Sequence, residues 1–427
     1  MGSPSSVQAK SSSSPESQET QLGKQHQQRR VQGYTLSPEK AQQAEAFARA
    51  RRRLYFVGFF YGVGLYLLVL WGRIAPKYRD WAERTFERRI GQVIVFTPLL
   101  ILTLGLLNLP RALYSHALVL RYSLSVQGWG SWLWDWTKGE LIYLLFVTIV
   151  VWVLYGVIRR SPRRWWFYFW LVSLPIIVFV VFLEPLLVEP LFFKFQPLEA
   201  RQPQLVAEIE QVTRRAGIEI PRGRMFEMNA SAKWKTVNAY VTGIGASKRV
   251  VVWDTTLEKM TVPQTLYVFG HEMGHYVLGH IPKGMVFFAV VFLIFLFLSF
   301  RLTQWALGCW GGRWAIRGID DWASLPLLLL LVSVFSFFAA PIDNAYSRYL
   351  EHQADTYGLE VIHGLVPDAS EVAAQSFQIE GELDLEEPNP PAWVKFWLYD
   401  HPAIRDRIIF VCTYDPWSKG QAPQFAK

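Results

Sequence analysis

His271-Glu272-Met273-Gly274-His275 sets two histidines four residues apart with a glutamate between them. On a helix, residues i and i+4 share a face, so both imidazoles can converge on one zinc ion while Glu272 reaches a water beside it. The spacing is that of a zinc hydrolase. The metal brings the pKa of water towards neutrality, and Glu272 can accept the proton and hand it to a leaving amine. Thr265 to Phe269 supplies apolar residues for a buried helix, and Gly274 leaves room for another backbone. His280 falls one residue off the i, i+4 ladder and reads as a helix-end residue, not a ligand.

Two histidines leave a catalytic zinc one protein ligand short. The best candidate lies in Ser347 to Asp355, where Glu351 and Asp355 are i, i+4 partners. Glu351 can bind the metal while Asp355 orients a ligand histidine through its second ring nitrogen. The rivals are His352, which points roughly 100° away from Glu351 on a helix, and His363, which lies beyond it. A solvated acidic face is the plain alternative for this helix. Cys309 and Cys412 are the chain's two cysteines, too few for a disulfide framework or a zinc cluster, so any metal must use His and carboxylate ligands.

The elements that position these residues belong to a membrane protein. A chain with 51% hydrophobic and 15% aromatic residues is too apolar for most soluble proteins. Six stretches are long enough to span a bilayer: 54–75, 93–113, 141–157, 166–187, 285–307 and 325–340. The second is interrupted by Asn108 and Pro110. The loop from Tyr122 to Glu140 carries Trp129, Trp132, Trp134 and Trp136, which suits an interfacial belt, although an aromatic core would look similar. The formal charge of +8 forms no basic stripe with interleaved aromatics, which argues against nucleic acid; juxtamembrane arginines account for the excess.

Five regions follow. Residues 1–45, rich in Ser, Gln and Glu, read as a disordered tail dispensable for catalysis. Residues 46–190 hold four spans. Residues 191–284 form the first part of a catalytic domain, with a helix at Gln204 to Ala216 and short strands at Arg224 to Met228, Ala239 to Thr242 and Arg249 to Trp253. A small sheet before an HExxH helix is the zincin arrangement, in which an edge strand can hold an extended peptide. A purely structural sheet is the alternative. Residues 285–340 form a helical hairpin returning the chain to the same side, so that 341–427 can complete the site. The fold class is thus mainly α, multi-pass, with a zincin-like α+β domain.

Taken together, HEMGH, the later Glu351-x-x-x-Asp355 and Asn238-Ala239-Tyr240 resemble the integral-membrane CAAX prenyl protease 1 family, zinc enzymes that include the yeast a-factor-converting protease. Pro110 to Tyr114, Trp132 to Lys138, Pro190 to Leu198, Lys248 to Thr255, His401-Pro402 and Arg407 extend the likeness from about residue 95 to 411. The resemblance implies His271, His275 and Glu351 as ligands to one Zn²⁺, Glu272 as base, and Asp355 behind the ligands. It also implies Asn238, Ala239, His401 and Arg407 as contacts to the substrate or transition state. On residue type alone, His401 reads as an ordinary C-terminal histidine. Family members cut near the C-terminus of prenylated substrates within a helical chamber in the membrane. Eukaryotic members are described with seven spans, so the first is expected to be absent here. Glycine is expected where this chain has Ser123.

The implied partners are the lipid bilayer and a peptide, prenylated or otherwise amphipathic. A quality-control protease of the HtpX heat-shock type is an alternative, and a non-proteolytic scaffold stabilised by zinc is another. The scaffold is disfavoured by Glu272, because structural zinc gains nothing from a general base. The bacterial inner membrane and the endoplasmic reticulum both suit such a chain. Arg49, Arg51, Arg52 and Arg53 argue for a cytosolic catalytic side, against arginines in the opposing loops at Lys77 to Arg89 and Arg159 to Arg164.

Overall fold

A computed structural model describes residues 30–243 and 248–426. Among them, six helices are long and apolar enough to cross a membrane. The first four are α1 (Pro38–Trp71), which is followed by a short amphipathic α2 (Ile74–Thr85), then α3 (Arg89–Arg121), α4 (Trp129–Arg160) and α5 (Trp165–Leu187). Next come α6 (Pro203–Arg215), α7 (Asp254–Lys259) and α8 (Val262–Val277), the helix of the HExxH sequence. The last two spans are α9 (His280–Trp314) and α10 (Leu325–Ile362), ahead of α11 (Ala369–Asp384), α12 (Ala392–Leu398) and α13 (Ile404–Thr413).

Several spans run past the predicted boundaries. Asn108 and Pro110 do not break α3, which continues to Arg121. Inside that turn Arg111 Nε donates to Asn108 Oδ1 at 2.8 Å and the Tyr61 hydroxyl donates to the Leu107 carbonyl. The Tyr61 hydroxyl thus meets a backbone carbonyl in the turn that Pro110 disturbs, the kind of contact that makes proline tolerable in a spanning helix. The tryptophans expected in a loop lie on the opening turns of α4, where Trp129 and Trp132 pack on buried His116 at ring separations of 4.7 and 4.9 Å. Ser123, in the turn before them, takes φ 59°, the left-handed region that favours glycine. The boundaries at 284/285 and 340/341 fall within α9 and α10. Because α10 passes unbroken through Pro341, Glu351 and Asp355 ride on the same rigid rod as the sixth span.

The sheet has four strands in the order β1-β2-β4-β3: β1 (Phe195–Pro197), β2 (Met225–Met228), β3 (Ala239–Thr242) and β4 (Arg249–Trp253). β2 and β4 are parallel, and the outer pairs are antiparallel. The last three strands match the sequence expectation. β1 does not, being three residues long and ending in proline, too short to show alternation. β3 lies at one edge and packs against α8, with Ala239 buried opposite Val252.

The predicted tail needs correction over its described part, while residues 1–29 lie outside the described residues. From Arg30 the chain straps α11: Val31 N–H donates to Glu371, and the Tyr34 hydroxyl donates to the Glu386 carbonyl at 3.1 Å. Tyr34 is 6% exposed and lies so close to Gly381 that an added Cβ there would sit 2.6 Å from its ring. Polar composition hid this because one aromatic, Tyr34, and one small helical residue, Ala44, carry the burial. Tyr34→Ala is therefore expected to cost about 3–5 kcal/mol of stability, as for other buried rings, in denaturant unfolding. A loss below about 1 kcal/mol, the range of exposed positions, would mean that the strap is not part of the fold.

Candidate metal centre

α8 starts at a capping box: Thr261 and Gln264 satisfy each other's backbone N–H groups, and Pro263 suits the first turn. Leu266, Tyr267, Phe269 and Met273 anchor it in the catalytic core. Its glycines bring it against α10. A Cβ on Gly270 would meet Val361 at 2.9 Å, one on Gly274 would meet Tyr357 at 3.0 Å, and one on Gly358 would meet the His271 amide nitrogen at 2.9 Å. Three small residues at one crossing let the backbones approach closely enough for short side chains to meet, and this sets His271 and His275 opposite Glu351 and Asp355.

The donors of His271, His275 and Glu351 converge. His271 Nε2 lies 3.1 Å from His275 Nε2 and 3.2 Å from Glu351 Oε2, and His275 Nε2 lies 3.4 Å from Glu351 Oε1. Tetrahedral bonds of about 2.0–2.1 Å imply ligand atoms about 3.3–3.4 Å apart, so the three fit one zinc ion with small adjustments. Glu351 Oε2 is buried without a hydrogen-bond donor, as suits an oxygen meant for a cation. Burial opposes charge on His271, but Asp355 and Glu351 outweigh it and push the imidazole up to about 10. The pocket therefore stabilises positive charge, which a divalent ion supplies.

Behind the ligands, His271 Nδ1 lies 2.9 Å from Asp355 Oδ1, with its N–H direction off the ideal line. Asp355 in turn accepts two bonds from Arg407, at 3.0 Å from Nε and 2.6 Å from Nη2. Both groups are buried, and the guanidinium also lies over Phe377 and 3.6 Å from Glu380. Desolvation works against the Arg407 charge, yet Asp355 and Glu380 hold its pKa above the ordinary value. Arg407 thus commits its fork to Asp355, and it also lies in the wall of the cavity that Asn238 and His401 line.

Glu272 is half-buried beside the cluster. Burial pushes its carboxyl above the ordinary carboxylate range, against the pull of His271 and His275. His401, half exposed, brings Nε2 to 3.3 Å from Glu351 Oε2 and holds Nδ1 3.0 Å from Asp400. Against desolvation, Asp400 and Glu351 raise its pKa. Asn238 is exposed just before β3, its backbone fixed by Thr256 and Trp253. Asn238, His401 and Arg407 line one cavity of about 950 Å³. His352 and His363 stay outside the cluster, the first edge-on to Phe410 and the second stacked on Trp417.

Comparison with known proteins agrees with this geometry. Residues 199–413 match peptidase family M48, and residues 20–194 match the CAAX prenyl protease N-terminal region, described as five membrane helices. The chain is 34% identical over 373 residues to the uncharacterized metalloprotease YhfN of Bacillus subtilis, spanning 87% of this chain and 85% of that protein. It is 24% identical to the human CAAX prenyl protease 1 homolog, spanning 89% and 90% of the two chains. A crystal structure of S. mikatae Ste24p shares the fold, with a TM-score of 0.75 at 20% identity over 89% of this chain and 90% of that one. The chain therefore belongs to the CAAX prenyl protease 1 family, as a multi-pass membrane zinc metallopeptidase of family M48.

Proposed function

We propose that the chain binds one zinc ion and cuts peptide bonds near the C-terminus of prenylated or otherwise amphipathic peptides, with its catalytic side in the cytosol. The observation that supports this substrate class is the make-up of the cavity. Its wall combines catalytic-domain groups, Asn238 and His401, with apolar and aromatic residues of the first span, Phe47, Leu54 and Tyr55. A peptide carrying an apolar group would meet both kinds of surface at once.

A zinc ion held by His271, His275 and Glu351 would supply a Lewis acid for the peptide carbonyl and would lower the pKa of the attacking water. Glu272 takes the proton from that water and passes it to the leaving amine, a task for which a carboxyl lifted by burial is suited. Edge strand β3 offers backbone groups to an extended substrate. Asn238 and His401 donate to the carbonyl oxygen as negative charge grows there. Arg407 and Asp355 hold His271 in orientation.

Mass mapping of products from a prenylated peptide and its unprenylated twin tests the substrate reading. A single cut near the C-terminus, faster with the prenylated form, is expected. Scattered cuts at equal rates would overturn it and favour a degradative protease. For His401, the Phe variant keeps a ring and removes both nitrogens. It is expected to lower kcat about a hundredfold or more, equivalent to roughly 2.7–4 kcal/mol, with zinc content unchanged. An unchanged kcat with lowered unfolding temperature would make His401 a packing residue.

A further inference from the structure

We infer that His280 and Gln353 form a neutral hydrogen-bond relay that fixes the tautomer and orientation of the metal ligand His275. α8 ends at Val277 with Leu278 as its cap, and Gly279 takes φ +67°, so the chain turns sharply and α9 begins at His280. The turn carries the His280 ring back onto the end of α8, where its Nδ1 lies 3.1 Å from His275 Nδ1. Its other nitrogen, Nε2, lies 3.1 Å from Gln353 Oε1, on α10 between Glu351 and Asp355. With only 3% of its surface exposed, the imidazole meets protein partners at both nitrogens.

The direction of the chain follows from His275. Its Nε2 faces His271 and Glu351, so ligation requires an unprotonated Nε2 and a proton on Nδ1. Among the described residues the partner of that Nδ1–H is His280 Nδ1, which must then be an acceptor. His280 therefore carries its proton on Nε2 and donates it to the Gln353 carbonyl oxygen. All three side chains stay neutral, and each fixes the next. The apolar crevice around the pair, which includes Ile177, Val181 and Phe288, keeps the dielectric low and the bonds strong.

The two ligand histidines thus have unlike supports. His271 is backed by a buried carboxylate and guanidinium, His275 by an imidazole and an amide. A neutral relay orients His275 without adding negative charge to a site that already holds Glu351, Glu272 and Asp355.

This inference rests on the zinc reading, and zinc affinity of the purified full-length chain, measured by competition with a chelator, separates the two. If wild type fails to bind zinc, the metal reading falls, and the relay with it. If wild type binds, His280→Leu is expected to bind about 10- to 100-fold more weakly, as for other groups behind metal ligands, while the metal-free protein unfolds at the wild-type temperature. His280→Asn, whose amide oxygen can stand where Nδ1 stood, is expected to recover most of the affinity. Wild-type affinity in His280→Leu would overturn the relay, as would a fall in metal-free stability that His280→Asn fails to repair. Should His280→Leu not fold, Gln353→Leu reads the relay from its far end. There, a severalfold loss of zinc affinity is expected, and unchanged affinity would overturn the inference.

Discussion

Glu272→Gln is expected to slow peptide hydrolysis by about 10²- to 10⁴-fold with zinc content and unfolding temperature at wild-type values. Glutamine keeps the size and packing of the half-buried side chain, so the change removes proton transfer and little else. Neither the ligand atoms of His271 and His275 nor that of Glu351 is altered. Single-turnover cleavage of a peptide, with metal analysis of the same preparation, makes the check. Activity within a few-fold of wild type would show that another group takes the proton. Loss of zinc would show that Glu272 holds the site together instead of acting within it.

Arg407→Ala is expected to cost about 3–5 kcal/mol of stability, because it strands the Asp355 carboxylate in a buried position without its partner. The effect should reach the metal as well. Asp355 freed from Arg407 can no longer hold His271, so zinc affinity is expected to fall about 10- to 100-fold. Denaturant unfolding and chelator competition read the two effects. Lysine is not expected to rescue, since a point charge cannot reproduce the two-bond fork. A variant that unfolds and binds zinc like wild type but shows a raised KM would return Arg407 to the substrate contact that its sequence position suggested.

The candidate ligand cluster was legible because its chemistry is local. His271 and His275 are fixed by helical spacing, and Glu351 and Asp355 repeat that spacing on a second helix. Of the supports behind them, Asp355 was legible from that spacing, whereas His280 and the place of Arg407 were not. His280 is five residues from His275, and only the sharp turn at Gly279 brings it back. A glycine at a helix end was a readable signal for that turn. The partnership of Arg407 with Asp355 depends on how α13 packs against α10, which no spacing encodes. Hydropathy located all six spans but not their ends, because α9 and α10 carry polar residues on the same continuous helices that cross the bilayer. Residues 30–45 misled for the opposite reason: a polar stretch can be ordered by a few contacts such as those of Tyr34, Ala44 and Val31.

The most direct test of the account is the zinc content of purified Glu351→Ala beside wild type. The side chain joins the second half of the chain to the HExxH helix, and its Oε2 is buried without a hydrogen-bond donor. The account expects wild type to hold zinc and Glu351→Ala to lose it on dialysis, since two histidines alone leave the metal one protein ligand short. Wild-type zinc content in Glu351→Ala would contradict it and require the third ligand to be sought elsewhere.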